Sequence, residues 1–185
     1  VRQPTDPSLD VLLVASTVYA MDKLIPRSTA RDGWQRSFDV TVPVKDATVW
    51  SANTDTICQC LSFLSGDNWR MSFTERTRSI VRRKRLKRRV RRNYVRGEVA
   101  SLFSGGLDSL IGAIDRLEET SGESICFVGH HDPSISGVQK DQEELLKLLE
   151  AAFPKRFRSV LVGIGHSGKS EEMTMRSRSL LFVAL

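Results

Sequence analysis

With 185 residues and 20.8 kDa the chain is long enough to bury a core without disulfide or metal staples, and 40% hydrophobic with 27% charged residues is a globular composition. No apolar run approaches the roughly 20 residues of a membrane span. Three cysteines (Cys58, Cys60, Cys126), with no charged n-region or apolar h-region at the start, point to a reducing cytoplasm rather than to secretion. The net charge of +6 conceals two opposites: residues 76–96 hold ten Arg and two Lys with no acid, which leaves 16 basic and 22 acidic residues elsewhere. That run, RTRSIVRRKRLKRRVRRNYVR, marks a junction. It separates a small α+β module, residues 1–75, from a second domain, residues 98–185, with 76–97 as a basic linker or helix.

In chain order, the apolar run LDVLLVAST predicts a buried strand, and DKLIPRSTARDGW is turn-rich. SFDVTVPV alternates Phe38, Val40, Val42 and Val44 with polar neighbours, the pattern of a half-covered strand. From about Ala52 to Leu64, Ile57, Leu61 and Leu64 recur at helical spacing and Gly66 stops the helix; WRMSF then alternates as a strand. No catalytic constellation forms here, and the exposed charges of this module read as surface.

The basic run has the charge density to neutralise several phosphates, so nucleic acid is one partner predicted for Arg82–Arg92. Leu86, Val90 and Tyr94 at i, i+4, i+8 equally allow a basic helix docked on an acidic protein, or a solvated linker.

Beyond the junction the period changes. EVASLF predicts a short buried strand and LIGAIDRLEE a helix with Leu110, Ile114 and Leu117 on one face. SICFVGHH is a second strand, KDQEELLKLLEAAF a helix with Leu145, Leu148, Leu149 and Ala152 inward, SVLVGIG a third strand, and MTMRSRSLLFVAL the start of a third helix. Strands alternating with helices predict an α/β fold with a parallel sheet. The closing LLFVAL has no cap and no charged last turn, so Leu180, Leu181, Phe182 and Leu185 are expected to lack a surface to bury against and the chain to be the front part of a longer protein.

The strongest chemical signal is Ser104-Gly105-Gly106-Leu107-Asp108-Ser109, between the first strand and helix of that domain, at the edge where open parallel sheets bind ligands. Paired glycines let a pyrophosphate approach the backbone, loop and first-turn N–H groups point at its oxygens, and the serine hydroxyls add donors. Asp108 would hold a divalent ion bridging phosphate oxygens, or fix the loop by accepting backbone N–H bonds. A capped strand-to-helix turn is the plainer reading. Gly163-Ile164-Gly165-His166-Ser167-Gly168-Lys169-Ser170 also fits a Walker A pattern, but Glu171 and Glu172 would then sit on the first helical turn beside the phosphates they repel. His130 and His131 point to opposite strand faces, which disfavours one shared metal ion.

SGGLDS after an apolar strand resembles the PP-loop of the ATP pyrophosphatases that activate substrates by adenylation, a family that includes GMP synthetase, asparagine synthetase and 7-cyano-7-deazaguanine synthase, QueC. More narrowly, ASLFSGGLDSLIGAID, FVGHHD and RSRSLLFVAL, with AMDKLIPR, DGW and LSFLSGDNWRMSF earlier, resemble the QueC-like QatC family of the bacterial Qat anti-phage system. The resemblance implies an incomplete PP-loop domain of the adenine nucleotide alpha hydrolase type, ATP and Mg²⁺ as cofactors, and adenylation of a deazapurine-like acid for amide or nitrile formation. Partner proteins of the same defence system are implied with it. It further implies that Gly129 or His130 meets the adenosine, and that Arg178, or Arg176, faces the nucleotide while Lys169 approaches the phosphates. A zinc site is implied only outside these residues. The alternatives are a nucleic-acid-binding or scaffold subunit whose PP-loop senses nucleotide, and a Walker A NTPase using Gly163–Ser170.

Overall fold

A computed structural model of the chain describes residues 6–78, 99–119, 125–133, 135–165, 172, 174 and 176–185. Its contacts divide the chain into two units, Val1–Leu86 with Ser167–Leu185, and Lys87–His166. The sequence boundary at 98–185 is thereby corrected at its far end, because the last segment packs with the first unit.

The first unit opens with helix α1, Asp6–Leu24, where the apolar run predicted a strand. Asp10, Val14, Val18 and Asp22 are buried at intervals of four, and Ala15 and Tyr19 widen the stripe. The apolar and small residues between Asp10 and Asp22 fit either structure by composition; the flanking Asp10 and Asp22 complete the helical period. Strand β1, Ser37–Val44, and strand β2, Asn68–Glu75, are joined by helices α2, Ala47–Ala52, and α3, Thr54–Ser65. Asp46 caps α2 by accepting the Val49 N–H at 3.2 Å, and Gly66 ends α3 at φ 75°, where a side chain is strained. That crossover makes β1 and β2 parallel, Ser37 opposite Asn68 through Val44 opposite Glu75. One face, Phe38, Val40, Val42 and Val44 with Trp69, Met71 and Phe73, is buried with Val14, Val18 and Leu61. The other is polar, with Thr41 bonded to Ser72 and Arg70 paired with Asp39.

Charged residues here are not all surface. Arg36 lies between Asp22 (2.6 Å) and Asp67 (2.7 Å), and Arg27 reaches Asp67 at 2.9 Å; all four are buried. Burial alone would weaken the Arg36 charge, but the hydrogen bonds it donates to both carboxylates raise its pKa above the ordinary value. Asp67, which burial would push up, is held below the usual carboxylate range by Arg36 and Arg27. Residues 172, 174 and 177 complete the network. Glu172 accepts the backbone N–H groups of Arg27 and Thr174, Lys23 donates to the carbonyls of Glu172 and Thr174, and the Ser177 hydroxyl donates to Asp22 at 2.6 Å. Burial would raise the Glu172 pKa, yet those N–H donors bring it down to about 2. Helix α6, Arg178–Ala184, follows and packs on α1, with Leu181 and Phe182 buried, so the expected bare apolar end is also corrected.

The second unit is a three-stranded parallel sheet of order β3-β4-β5: β3 Val99–Leu102, β4 Ile125–His131 and β5 Phe157–Gly163. Helix α4, Leu107–Glu119, and helix α5, Val138–Ala152, make the crossovers. The parallel α/β expectation stands. Phe103, just after β3, Phe127 on β4 and Phe157 on β5 pack as tilted rings with centroids 5.7 and 5.0 Å apart, with Ala113, Leu117, Leu146 and Leu149 around them. Two details differ from expectation. Strand β3 contributes no buried residue of its own, burial beginning at Phe103. Helix α5 is rotated: Gln142, Leu146 and Leu149 are buried, whereas Leu148 is 68% exposed and Ala152 is exposed. Among the described residues no helix is long and apolar enough to cross a membrane.

Candidate functional site

The carboxyl ends of β3 and β4 lie side by side, and the chain leaves β3 through Phe103 into Ser104–Ser109 before entering α4. Gly105 sits at φ +82°, in the left-handed region, and a Cβ there would come within 2.9 Å of Gln142 Cγ. Both facts require glycine. Gly106 has an ordinary φ, and a Cβ there would meet only Ser104 Oγ at 3.5 Å, so its small size is not demanded by the protein's own packing.

The serines tie the loop to itself. Ser104 Oγ accepts the Gly106 N–H at 3.3 Å and donates to Ser109 Oγ at 3.1 Å, and Ser109 Oγ donates to the Gly106 carbonyl at 2.8 Å. That carbonyl also accepts the Leu110 N–H, the first bond of α4. The N–H groups of Leu107, Asp108 and Ser109, on the first turn, therefore have no intrahelical acceptor and carry the positive end of a 13-residue helix. Leu107 and Asp108 are exposed. The serines, not Asp108, hold the loop; the Asp108 carboxylate has no hydrogen-bond or ion-pair partner among the described residues. A single open carboxylate beside first-turn N–H groups fits Mg²⁺ bound with a phosphate, since that ion keeps most of its waters and takes its other ligands from phosphates. No group of three or more His, Cys, Asp or Glu able to hold a metal by itself occurs among the described residues.

His130 and Gly129 have structural employment. A Cβ on Gly129 would meet Leu161 Cδ2 at 2.6 Å and the Phe103 carbonyl at 2.8 Å, so glycine on the central strand β4 leaves room for the Leu161 side chain from β5 and for the carbonyl that follows β3. His130 is fully buried, and its Nε2 donates to the Ile164 carbonyl at 2.8 Å, joining the ends of β4 and β5. Gln142, on the buried stripe of α5, bonds the carbonyls of Ser104 and His130. The sequence reading passed it over; its signal was a polar residue four before Leu146 and seven before Leu149.

Arg178 belongs to the first unit, where its guanidinium lies over the Phe182 ring, while Arg176 lies over Trp34 at 4.4 Å and donates to the Ser65 carbonyl. Lys169 and the rest of 166–171 lie outside the described residues, as does Arg82–Arg92. Of the Walker A pattern, Gly163 ends β5, Ile164 N–H bonds the His131 carbonyl, and Gly165 packs on Asp132 and Pro133. Glu172 and Thr174 are not helical, and the next described helix starts only at Arg178, so Glu172 is a buried strut rather than a first-turn residue of a Walker helix.

No family model matches this chain, and neither a curated protein nor a solved structure does.

Proposed function

We propose that the second unit binds ATP through Ser104–Ser109 and serves an adenylate-forming reaction of the PP-loop ATP pyrophosphatase type. The observation that carries this reading is the loop: a left-handed Gly105, inward-tied serines and outward first-turn N–H groups at the carboxyl edge of a parallel sheet. In the proposed step a substrate carboxylate oxygen forms a bond to the α-phosphorus, the α–β anhydride bond breaks, and pyrophosphate leaves. An amine nitrogen then attacks the acyl carbon, AMP departs, and the amine loses a proton. The loop N–H groups bind the leaving pyrophosphate, where charge accumulates. Mg²⁺, held by Asp108, supplies charge neutralisation when bound. The resemblance to QueC-like proteins extends the proposal to a deazapurine-like acid and to anti-phage defence.

Binding of MgATP and of magnesium pyrophosphate to the 185-residue chain tests the reading. Asp108→Asn should weaken both about tenfold or more, and turnover with a competent acid should give AMP and pyrophosphate. ADP and phosphate as products, with Lys169→Ala inactive and Asp108→Asn active, would establish the Walker A alternative instead.

A further inference from the structure

Gln142 is fully buried on α5, and its side-chain nitrogen is 3.0 Å from the Ser104 carbonyl, 3.2 Å from that of His130 and 3.4 Å from that of Phe103. These three carbonyls belong to the ends of two different strands, β3 and β4, and to the first residue of the glycine loop. The amide has only one sensible orientation, because turning it over would aim an acceptor oxygen at three acceptor carbonyls. Its own Oε1 is buried with no hydrogen-bond partner. A leucine or methionine would avoid that orphaned acceptor, so packing alone does not account for an amide here. Gly105 is shaped around it, since a Cβ there would strike Gln142 Cγ at 2.9 Å, whereas the tight neighbours of Gly129 are Leu161 and the Phe103 carbonyl, with Gln142 Nε2 in ordinary contact at 3.4 Å.

We propose that Gln142 is a positioning residue that fixes the glycine loop and the carboxyl end of β4 at one spacing, presenting the loop N–H groups in their anion-binding arrangement. That this spacing governs nucleotide affinity rests on the ATP reading above. The amide donates two protons into a cluster of carbonyls whose mutual repulsion would otherwise open the gap between the strand ends.

Two measurements on the full chain separate the two claims. The first is amide hydrogen exchange. Gln142→Met, close in volume but without donors, should exchange residues 104–109 at least tenfold faster than wild type while the amides of 143–152 are unchanged. The second is magnesium pyrophosphate affinity at constant ionic strength, expected to fall at least tenfold in Gln142→Met. Gln142→Glu should retain affinity at pH 6, where a protonated carboxyl still donates one hydrogen bond, and lose it by pH 9, where a carboxylate faces three carbonyls. His130 on β4 and Asp141, Glu143 and Glu144 on α5 are present in every variant, so affinities are compared with wild type at each pH. Unchanged loop exchange in Gln142→Met would overturn the positioning role. Faster loop exchange, with no pyrophosphate binding even by the wild type, would uphold that role and refute the ATP reading alone.

Discussion

Glycines that serve the fold and glycines that serve a ligand are separable one residue at a time. Gly129→Ala drives a methyl into Leu161 and a backbone oxygen, and should cost about 1–3 kcal/mol in thermal stability. Gly105→Ala should cost about 1–2 kcal/mol through its left-handed backbone. Gly106→Ala meets nothing closer than Ser104 Oγ. It should leave the melting temperature within a degree or two yet weaken magnesium pyrophosphate binding, and equal affinity would exclude close approach of phosphate to that residue. At Glu172 the sign of the pH effect follows from its depressed pKa. The folded state prefers the carboxylate, so the contribution is whole above the ordinary value of 4.5 and fades as pH falls towards about 2. Glu172→Gln should lower stability at pH 7 by about 1–3 kcal/mol and shrink that deficit at pH 3, a crossing read from urea melts at both pH values.

At the scale of elements, most of the architecture could be read from the chain because periodicity reports one buried face. It gave β1, α3, β2, α4, β4 and β5 close to their observed places. It failed at α1, where the apolar run was too short to show its period without Asp10 and Asp22. A rule that charged residues lie outside discards those two. The same rule hid Arg27, Arg36 and Asp67, and with them the partners of the last segment. On α5 the apolar residues alone put the inward stripe on Leu145, Leu148, Leu149 and Ala152, whereas the buried residues are Gln142, Leu146 and Leu149; Leu148→Ala should be nearly neutral, and Leu149→Ala should cost about 2–5 kcal/mol by thermal melt. For the site, the loop residues were legible in the hexapeptide, but the residue that braces them lies more than thirty positions away. The basic run keeps its own test: if it grips duplex DNA, alanine at Arg88, Arg89, Arg91 and Arg92 should reduce the salt slope by roughly 0.9 per lost phosphate contact. A wild type insensitive to salt would remove that partner class.

For the molecule as a whole, Trp34, Trp50 and Trp69 all fall in the first unit, so tryptophan fluorescence reports on that unit alone. Ser177→Ala removes the hydroxyl that donates to Asp22, far from any tryptophan in sequence, and should lower the urea midpoint of the fluorescence transition. An unmoved midpoint would mean that the last segment does not contribute to the stability of this unit. The union of α1 with α6 also sets an order in time. During synthesis residues 1–86 emerge while 172–184 do not yet exist, so Asp22 and Lys23 must wait for Ser177, Glu172 and Thr174, and the face of α1 for Leu181 and Phe182. The first unit is thus completed only after the second has been made, and its unfinished state on the ribosome is the stage at which a chaperone would find exposed charge and apolar surface together.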